Sequence, residues 1–396
     1  MRKSVIVSLF LIVLILVAAF QILRPLPFLR MQAVASTNYH VPGSVNIQWP
    51  AQGAAAIQVN GVLMGSWNGD QPLALASVAK LMTAYLTLRK HPLATGADGP
   101  VLTISADDVA TYKADVADQN SVAKVALGEK ITERQLLEAL LIPSGDNIAT
   151  LLAKWDAGSV AQFVQEMNRT AVKLGMTHTH YADPAGVSLE TVGSALDQLK
   201  IAQADMAIPA FRHIVRMKQA KLPFGPTVYN TDYVLGKNGI IGIKTGSMPE
   251  AGGNFVFGTQ PWVNGQKSLV IGCVMAQQGG KPLMNALQEG ASLAQQASAN
   301  LQEVSLVKTG AKVAEITSAW GQTAPVDATK DLSMIVWPGL SVKESLHPTP
   351  LGRTVEAKAA VGQWIVTAGN QSFSIPVQTS ESITNPTLLW KLKRIR

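Results

Sequence analysis

Three short pieces of sequence lying far apart along the chain must meet in space if this protein does chemistry, and that demand constrains the fold most. The first is Leu73–Leu86, in which Ser77-Val78-Ala79-Lys80 opens an apolar, helix-forming run. A serine and a lysine three residues apart share one face of a helical turn, so the amine can reach the hydroxyl. A serine hydroxyl is a weak nucleophile until a base takes its proton, and an amine held out of water can be that base near neutral pH. The second piece is Ser144-Gly145-Asp146, in a tight turn between two expected helices. The third is Lys244-Thr245-Gly246, expected to end an apolar strand.

Each piece alone is cheap. Ser121-Val122-Ala123-Lys124 and Ser305-Leu306-Val307-Lys308 repeat the first pattern, and Lys308-Thr309-Gly310 repeats the last. The ordered combination carries the information. The second Lys-Thr-Gly follows a domain-ending helix and is assigned to a surface turn.

The pattern between these pieces predicts the elements that hold them. Ala54–Val59 and Val62–Trp67 flank Asn60-Gly61, a hairpin signal. Beyond Gly99-Pro100, short polar segments are expected as far as Lys130. Thr132-Glu133-Arg134-Gln135 reads as a capping box for a helix reaching Ile142. Helices are then expected at Ile148–Trp155 and Val160–Leu174, the latter stopped by Gly175, with a turn at Asp183-Pro184-Ala185-Gly186. Strand character returns at Gly239–Ile243, Asn254–Gly258 and Ser268–Met275, followed by a helix from Pro282 to about Asn300. Cys273 is the only cysteine, so no disulfide forms within one chain, and its apolar run marks it as a buried strand residue.

With 47% hydrophobic and 15% charged residues, the chain has ample material for a core and is not of the disordered class. A formal charge of +7 points to an anionic neighbourhood such as lipid or a wall polymer. No cluster of arginines and aromatics suggests a nucleic-acid reader. His178-Thr179-His180 is the only close histidine pair and lacks cysteine or carboxylate partners at ligand spacing, so no metal site is assigned.

Met1-Arg2-Lys3 precedes an apolar run, Val5–Leu23, whose only polar members are Ser8 and Gln21. Basic residues before such a run favour a cytoplasmic N-terminus and export of the rest. A cleavable apolar region usually has about 7–15 residues, and this one nearly spans a bilayer. A retained anchor is favoured over a cleaved signal, although Ala33-Val34-Ala35 before Ser36 offers a cut site.

Ala76–Tyr85, Leu141–Ala149, Met167-Asn168 with Leu174-Gly175-Met176, and Gly242–Gly246 together resemble the D-alanyl-D-alanine carboxypeptidases. These are the low-molecular-mass penicillin-binding proteins of the serine-lysine penicillin-recognising acyl transferase superfamily. The likeness runs from residue 40 or so to residue 300. It implies an α+β fold: a β-lactamase/transpeptidase-like domain, with an antiparallel sheet flanked by helices and a helical cluster, followed by a small all-β sandwich. It implies a peptidoglycan stem peptide ending in D-Ala-D-Ala as substrate, β-lactam antibiotics as covalent inhibitors, and no cofactor.

Roles follow from the same resemblance. Ser77 is the nucleophile, Lys80 its base, and Ser144 a proton relay. Lys244 and Thr245 hold the terminal carboxylate, beside Gly246. The backbone N–H groups of Ser77 and Ser247 form the oxyanion hole. Lys244 is expected to oppose a second positive charge on Lys80.

One departure matters. The family's second motif is usually Ser-x-Asn, whereas the third position here is Asp146 and the amide comes at Asn147. An amide donates and accepts, while an ionised carboxylate only accepts. Asp146 is assigned to the substrate-binding set with two arrangements open: a counter-ion to Lys80, or a recast turn with Asn147 facing the substrate.

A serine β-lactamase of the commonest class needs a Glu-x-x-x-Asn loop. Glu190 is followed four residues on by Ser194, and Glu166 has no such asparagine. A catalytically silent wall sensor is disfavoured by intact Ser77, Lys80 and Lys244.

After residue 300, β-like runs at Val304–Val307, Lys312–Ile316, Leu332–Trp337, Val355–Ala359, Trp364–Ala368 and Ser372–Val377 predict the β domain. In the closing stretch, Leu388, Leu392 and Ile395 share a face among basic residues, which suits an amphipathic helix on anionic lipid. The expected organisation is therefore a leader or signal anchor (1–36), a catalytic domain (37–300), a β-sandwich (301–380) and a basic tail (381–396) in an exported, membrane-associated protein.

Overall fold

The computed structural model describes residues 2–34, 38–223 and 225–394. The junction before Ser36 offered as a cut site lies outside these, as does Ile395 of the closing helix. The chain divides into two compact units, Ser44–Gln302 and a second made from Met1–Gly43 with Glu303–Arg396.

The chain begins with α1 (Arg2–Leu23), then two short strands, β1 (Arg30–Ala33) and β2 (Asn38–His40). Neither β1 nor β2 belongs to the unit that follows.

That unit is built on a five-stranded antiparallel sheet. Its strands are β3 (Ala54–Val59), β4 (Val62–Trp67), β5 (Ile240–Met248), β6 (Gly252–Thr259) and β7 (Val270–Gln277), in spatial order β5-β6-β7-β3-β4. The hairpin at Asn60-Gly61 forms as expected, with both residues at positive φ. β6 and β7 are buried nearly throughout, and Cys273 sits fully covered in β7.

Between the two halves of the sheet come the helices α2 (Lys80–Lys90), α3 (Ala106–Ala117), α4 (Glu133–Leu141), α5 (Asp146–Ala157), α6 (Val160–Lys173), α7 (Ala195–Met206) and α8 (Pro209–Ile214). The closing helix α9 (Pro282–Ala299) packs on β6 and β7. One large apolar core joins α2, α4, α5 and α7 to the sheet through residues such as Leu81, Leu136, Ile148, Leu152, Leu199 and Ile271. The capping box at Thr132 forms, with Gln135 N–H donating to Thr132 Oγ1.

Helix α3 lies where only polar segments were expected. It buries no residue fully, so no apolar stripe announces it, and its start is set by reciprocal bonds between Ser105 and Asp108.

The second unit closes a seven-stranded antiparallel sheet from both ends of the chain. Beyond β8 (Gln302–Val307), its strands are β9 (Lys312–Thr317), β10 (Thr323–Ala328), β11 (Leu332–Val336), β12 (Ser341–Pro348), β13 (Ala360–Ala368) and β14 (Gln371–Thr379). The large sheet runs β1-β9-β10-β14-β13-β12-β2, and β8 pairs with β11 separately. Val355–Ala359, expected as a strand, forms only an isolated bridge from Val355 to Ile383. Strands β10 and β12 escaped notice because one carries Pro325 and Asp327 and the other is polar and half-exposed. Lys308-Thr309-Gly310 lies in an exposed turn closed by Ala311 N–H on the Lys308 carbonyl. The chain ends in α10 (Leu388–Lys393).

Candidate active site

Ser77 lies in a 3-10 turn, Ala76–Ala79, that runs directly into α2. Ala76 is forced to a φ of +47° at its start, a costly conformation for a residue with a Cβ. The surroundings over-determine it. Asn254 on β6 donates to the carbonyls of Ala74 and Leu75, each at 2.9 Å, and accepts from Ala276 N–H at 2.8 Å. Gly246 on β5 lets the strand press against the turn: a Cβ there would lie 2.9 Å from the Ser77 nitrogen. Gly186, at a φ of +80°, allows a similar approach to the Ala76 carbonyl. Ser77 itself remains partly open to solvent.

Lys80 is wholly buried, and its Nζ donates to Ser77 Oγ at 2.7 Å, Asp146 Oδ1 at 2.5 Å and the Ala185 carbonyl at 3.0 Å. The first bond realises the one-turn geometry read from the sequence. The third had no sequence signature, because it is a backbone group in the Asp183–Gly186 turn. That turn is fixed by the Asp183 carboxylate, which accepts from the N–H groups of Ala185, Gly186, Val187 and Ser188.

Ser144 sits between α4 and α5 at a φ of +67°, only 3% exposed. Lys244 reaches it from β5 across 100 residues of sequence, donating to Ser144 Oγ at 2.9 Å and to the Thr245 carbonyl at 3.0 Å. Lys-Thr-Gly lies inside β5 rather than at its end, since the strand continues to Met248. Burial first, and the positive charge of Lys80 second, push the Lys244 amine well below the usual lysine range. Thr245 Oγ1 shares a 2.6 Å bond with Thr231 Oγ1. The neighbouring Asp232 is pushed up to about 6, chiefly by burial.

Of the two arrangements left open for the second motif, the chain adopts the counter-ion. Asp146 is 6% exposed; Oδ1 meets Lys80 and Oδ2 accepts from Ser121 N–H at 3.0 Å. Both oxygens are engaged within the protein. Asn147 points elsewhere and is bonded through both side-chain atoms to the backbone of Ala123. The repeat motif at Ser121 thus serves the site through its backbone groups.

Asp115 on α3 is a further residue that sequence reading missed. Its Oδ1 accepts from Asn120 at 3.1 Å while its Oδ2 is buried without a partner. Burial chiefly raises its carboxyl, with Asp146 adding to the rise. Ser247, by contrast, is exposed on β5.

The geometry defines a class: a serine hydroxyl bonded to a buried amine one turn away, and a second serine bonded to a second buried amine, on an antiparallel sheet with a helical cluster. Such an arrangement can make a serine hydroxyl nucleophilic by giving its proton a neighbouring amine to go to. Residues 44–278 match the family model described as D-alanyl-D-alanine carboxypeptidase, Peptidase_S11, and the chain belongs to that family. The D-alanyl-D-alanine carboxypeptidase of Streptomyces sp. strain K15 is 34% identical over 224 residues, which cover 52% of this chain and 74% of that protein. The carboxypeptidase DacD of Escherichia coli K12 is 26% identical over 345 residues, 84% of this chain and 86% of its own. The solved structure of penicillin binding protein 5 from Haemophilus influenzae superposes with a TM-score of 0.62 over 87% of this chain and all of that one, at 20% identity, a likeness of fold.

Proposed function

We propose that this protein removes the terminal D-Ala from peptidoglycan stem pentapeptides through a covalent acyl-enzyme on Ser77. The single observation that carries the reading is the Ser77–Lys80 bond of 2.7 Å, made by an amine with no access to water.

Ser77 Oγ attacks the carbonyl of the penultimate D-Ala as its proton passes to the Lys80 amine. Lys80 rests as the ammonium paired with Asp146, becomes the base by handing that proton to the carboxylate, and is an ammonium again once it has taken the Ser77 proton. The tetrahedral oxygen is held by the backbone N–H groups of Ser77, in the 3-10 turn, and Ser247, on β5. Lys244 and Thr245 bind the terminal carboxylate, and the Ser144–Lys244 pair returns a proton to the departing D-Ala amine. Water cleaves the ester, regenerating Ser77. Export through the N-terminal apolar helix delivers the enzyme to the wall. That helix is long and apolar enough to cross a membrane, a property it shares with signal sequences.

The test uses a fluorescent penicillin and a D-Ala-D-Ala pentapeptide with wild type and Ser77→Ala. Wild type is expected to release D-Ala and to form an adduct that persists for many minutes, and Ser77→Ala to do neither. Rapid turnover of the adduct without D-Ala release would indicate a β-lactamase instead.

A further inference from the structure

The catalytic unit holds a second recess at the far end of α2. That helix begins at Lys80 and closes with Arg89 and Lys90, so at 1.5 Å per residue these cations stand about 14 Å along its axis from the base. There a cleft of about 670 Å³ opens between the end of α2 and α6, bordered by Arg89, Lys90, Asp156, Gln162, Gln165 and Arg169. None of Ser77, Lys80, Ser144 or Lys244 borders it. Its volume suits a ligand of several linked groups and exceeds what a lone ion would fill.

The floor is rigid and incompletely satisfied. The rings of His91 and Trp155 stack with centres 3.9 Å apart, and Asp156, the next residue, is 7% exposed. Lys90 Nζ donates to the Asp156 carbonyl and lies 3.5 Å from Oδ1. Oδ2 is 3.8 Å from His91 Nε2, too far for a hydrogen bond, and both atoms are buried without a partner. A buried carboxylate oxygen left in that condition is an acceptor awaiting a donor.

The rim offers the complement. Arg89 is exposed and has no hydrogen bond or ion pair among the described residues, and the same holds for Gln165. Gln162 accepts from the Ser159 hydroxyl through Oε1 at 3.1 Å, which leaves its amide N–H groups to point outward. Glu166 pairs with Arg169 at 2.8 Å and lies 4.0 Å from Lys173. Four cations therefore face the two carboxylates Asp156 and Glu166, and positive charge is in excess.

The recess continues past α6. A second depression of about 600 Å³ shares Gln165 and Arg169 with the first and runs on to Thr179 and His180 beside Val172, which is 78% exposed. Gln162, Gln165, Glu166, Arg169 and Val172 recur at three and four residues, so one face of α6 forms the ridge that joins the two. The result is an elongated track.

We infer that this track is an exosite for a carboxylate-bearing peptide, the stem peptide of a neighbouring wall strand, held while another stem occupies the cleft at Ser77. A peptide carboxylate meets the unpaired Arg89, a peptide N–H satisfies Asp156 Oδ2, the Gln162 and Gln165 amides pair with peptide groups, and a small apolar side chain covers Val172. A phosphate polymer would supply charge for Arg89 but no N–H for Asp156. The identity of the occupant rests on the carboxypeptidase reading, whereas the recess does not.

The test uses the full chain in detergent with Arg89→Glu and Gln165→Glu, singly and together. Release of D-Ala from a short soluble D-Ala-D-Ala peptide, and labelling by penicillin, should match wild type in all three. Release from soluble glycan strands bearing pentapeptides should slow about five- to tenfold at low substrate in the double variant, through KM and not kcat. Equal rates on the strands, or equal losses on strands and short peptide, overturn the exosite. Binding is read directly by calorimetric titration of Ser77→Ala protein with a stem tetrapeptide ending in a single D-Ala. One site should weaken by about tenfold or more when Arg89→Glu is added, and weaken with salt. Tetrapeptide seated at residue 77 would be blind to Arg89, so an affinity unchanged by Arg89→Glu refutes the proposal, as does preference for wall teichoic acid over the tetrapeptide. The titration needs no turnover: an Arg89-dependent site in a protein that releases no D-Ala would refute the chemistry proposed above and leave the exosite standing.

Discussion

Removing the Lys80 amine should do two separable things. In Lys80→Met, Asp146 keeps its place, 6% exposed, with its counter-charge gone. At 2.5 Å and an effective dielectric of about 20, the gross attraction lost is about 7 kcal/mol. The desolvation already spent on the ammonium offsets part of this, so breaking such a pair by removing one partner costs about 3–5 kcal/mol. At about 2–4 °C per kcal/mol, the catalytic unit's unfolding midpoint should drop by about 10 °C. Adding Asp146→Asn neutralises the orphaned carboxylate while still offering an oxygen to Ser121 N–H. The double variant should therefore recover at least half of the loss. Activity behaves differently: D-Ala release and penicillin labelling should fall by about 10³-fold or more in the single variant and stay there in the double. Thermal unfolding in detergent, alongside both activity assays, reads the two effects. A Lys80→Met protein as stable as wild type, or a double variant no more stable than the single, would refute the buried pair as described.

Ser144→Ala leaves the Lys244 amine without its hydroxyl partner and should lower the rate of D-Ala release by about 10²–10³-fold, with folding retained; an unchanged rate removes Ser144 from the proton path. Gly246→Ala drives a methyl against backbone atoms of Leu75, Ser77 and Val78, none of which can swing aside. Penicillin acylation should slow more than about tenfold and stability fall by about 1–3 kcal/mol, read by adduct kinetics and melting. Asp232 loses its proton through about pH 6, and the anion so formed favours the ammonium form of Lys244. The KM for a carboxylate-ended peptide should thus fall by about threefold as pH rises through 6, and stay flat in Asp232→Asn. The same upward displacement from 3.8 means the folded state holds this proton more tightly than the unfolded one, so stability is lost between about pH 4 and 6. Above pH 6, Asp232→Asn should be the more stable protein, by up to about 3 kcal/mol. Equal melting curves at pH 5 and pH 8 for both proteins would contradict this.

The parts of the site that were legible in sequence are those where a side chain does its work by type and spacing. Ser77 and Lys80 sit one turn apart, and that local geometry survives whatever surrounds it. Lys244 was legible because its strand is apolar on both sides. Hidden were the groups that act through backbone, such as the Ala185 carbonyl, and those whose role depends on a distant neighbour, such as Asn254 and Asp115. Asp146 and Asn147 illustrate the middle case: composition posed the question, and only packing against residues 121–123 decided which of the two met Lys80. The fold followed the same rule. The capping box at Thr132 and the Asn-Gly turn wrote their own positions into the chain, while α3 and β12, wet on one side, left no periodic trace. The entry of β1 and β2 into the C-terminal sheet was invisible for a different reason, since their pairing partners lie hundreds of residues away.

That closure from both ends sets an order of assembly. The ribosome releases residues 44–302 well before β12, the strand that β2 needs, exists, so the hydrolase unit can collapse while the remainder is still being made. β1 and β2 meanwhile wait beside α1 with their edges unmatched, and the entropy of drawing such distant segments together falls due only at the last step. Anything that stalls or truncates synthesis soon after residue 302 would leave a complete hydrolase unit and an incomplete sheet in the other unit.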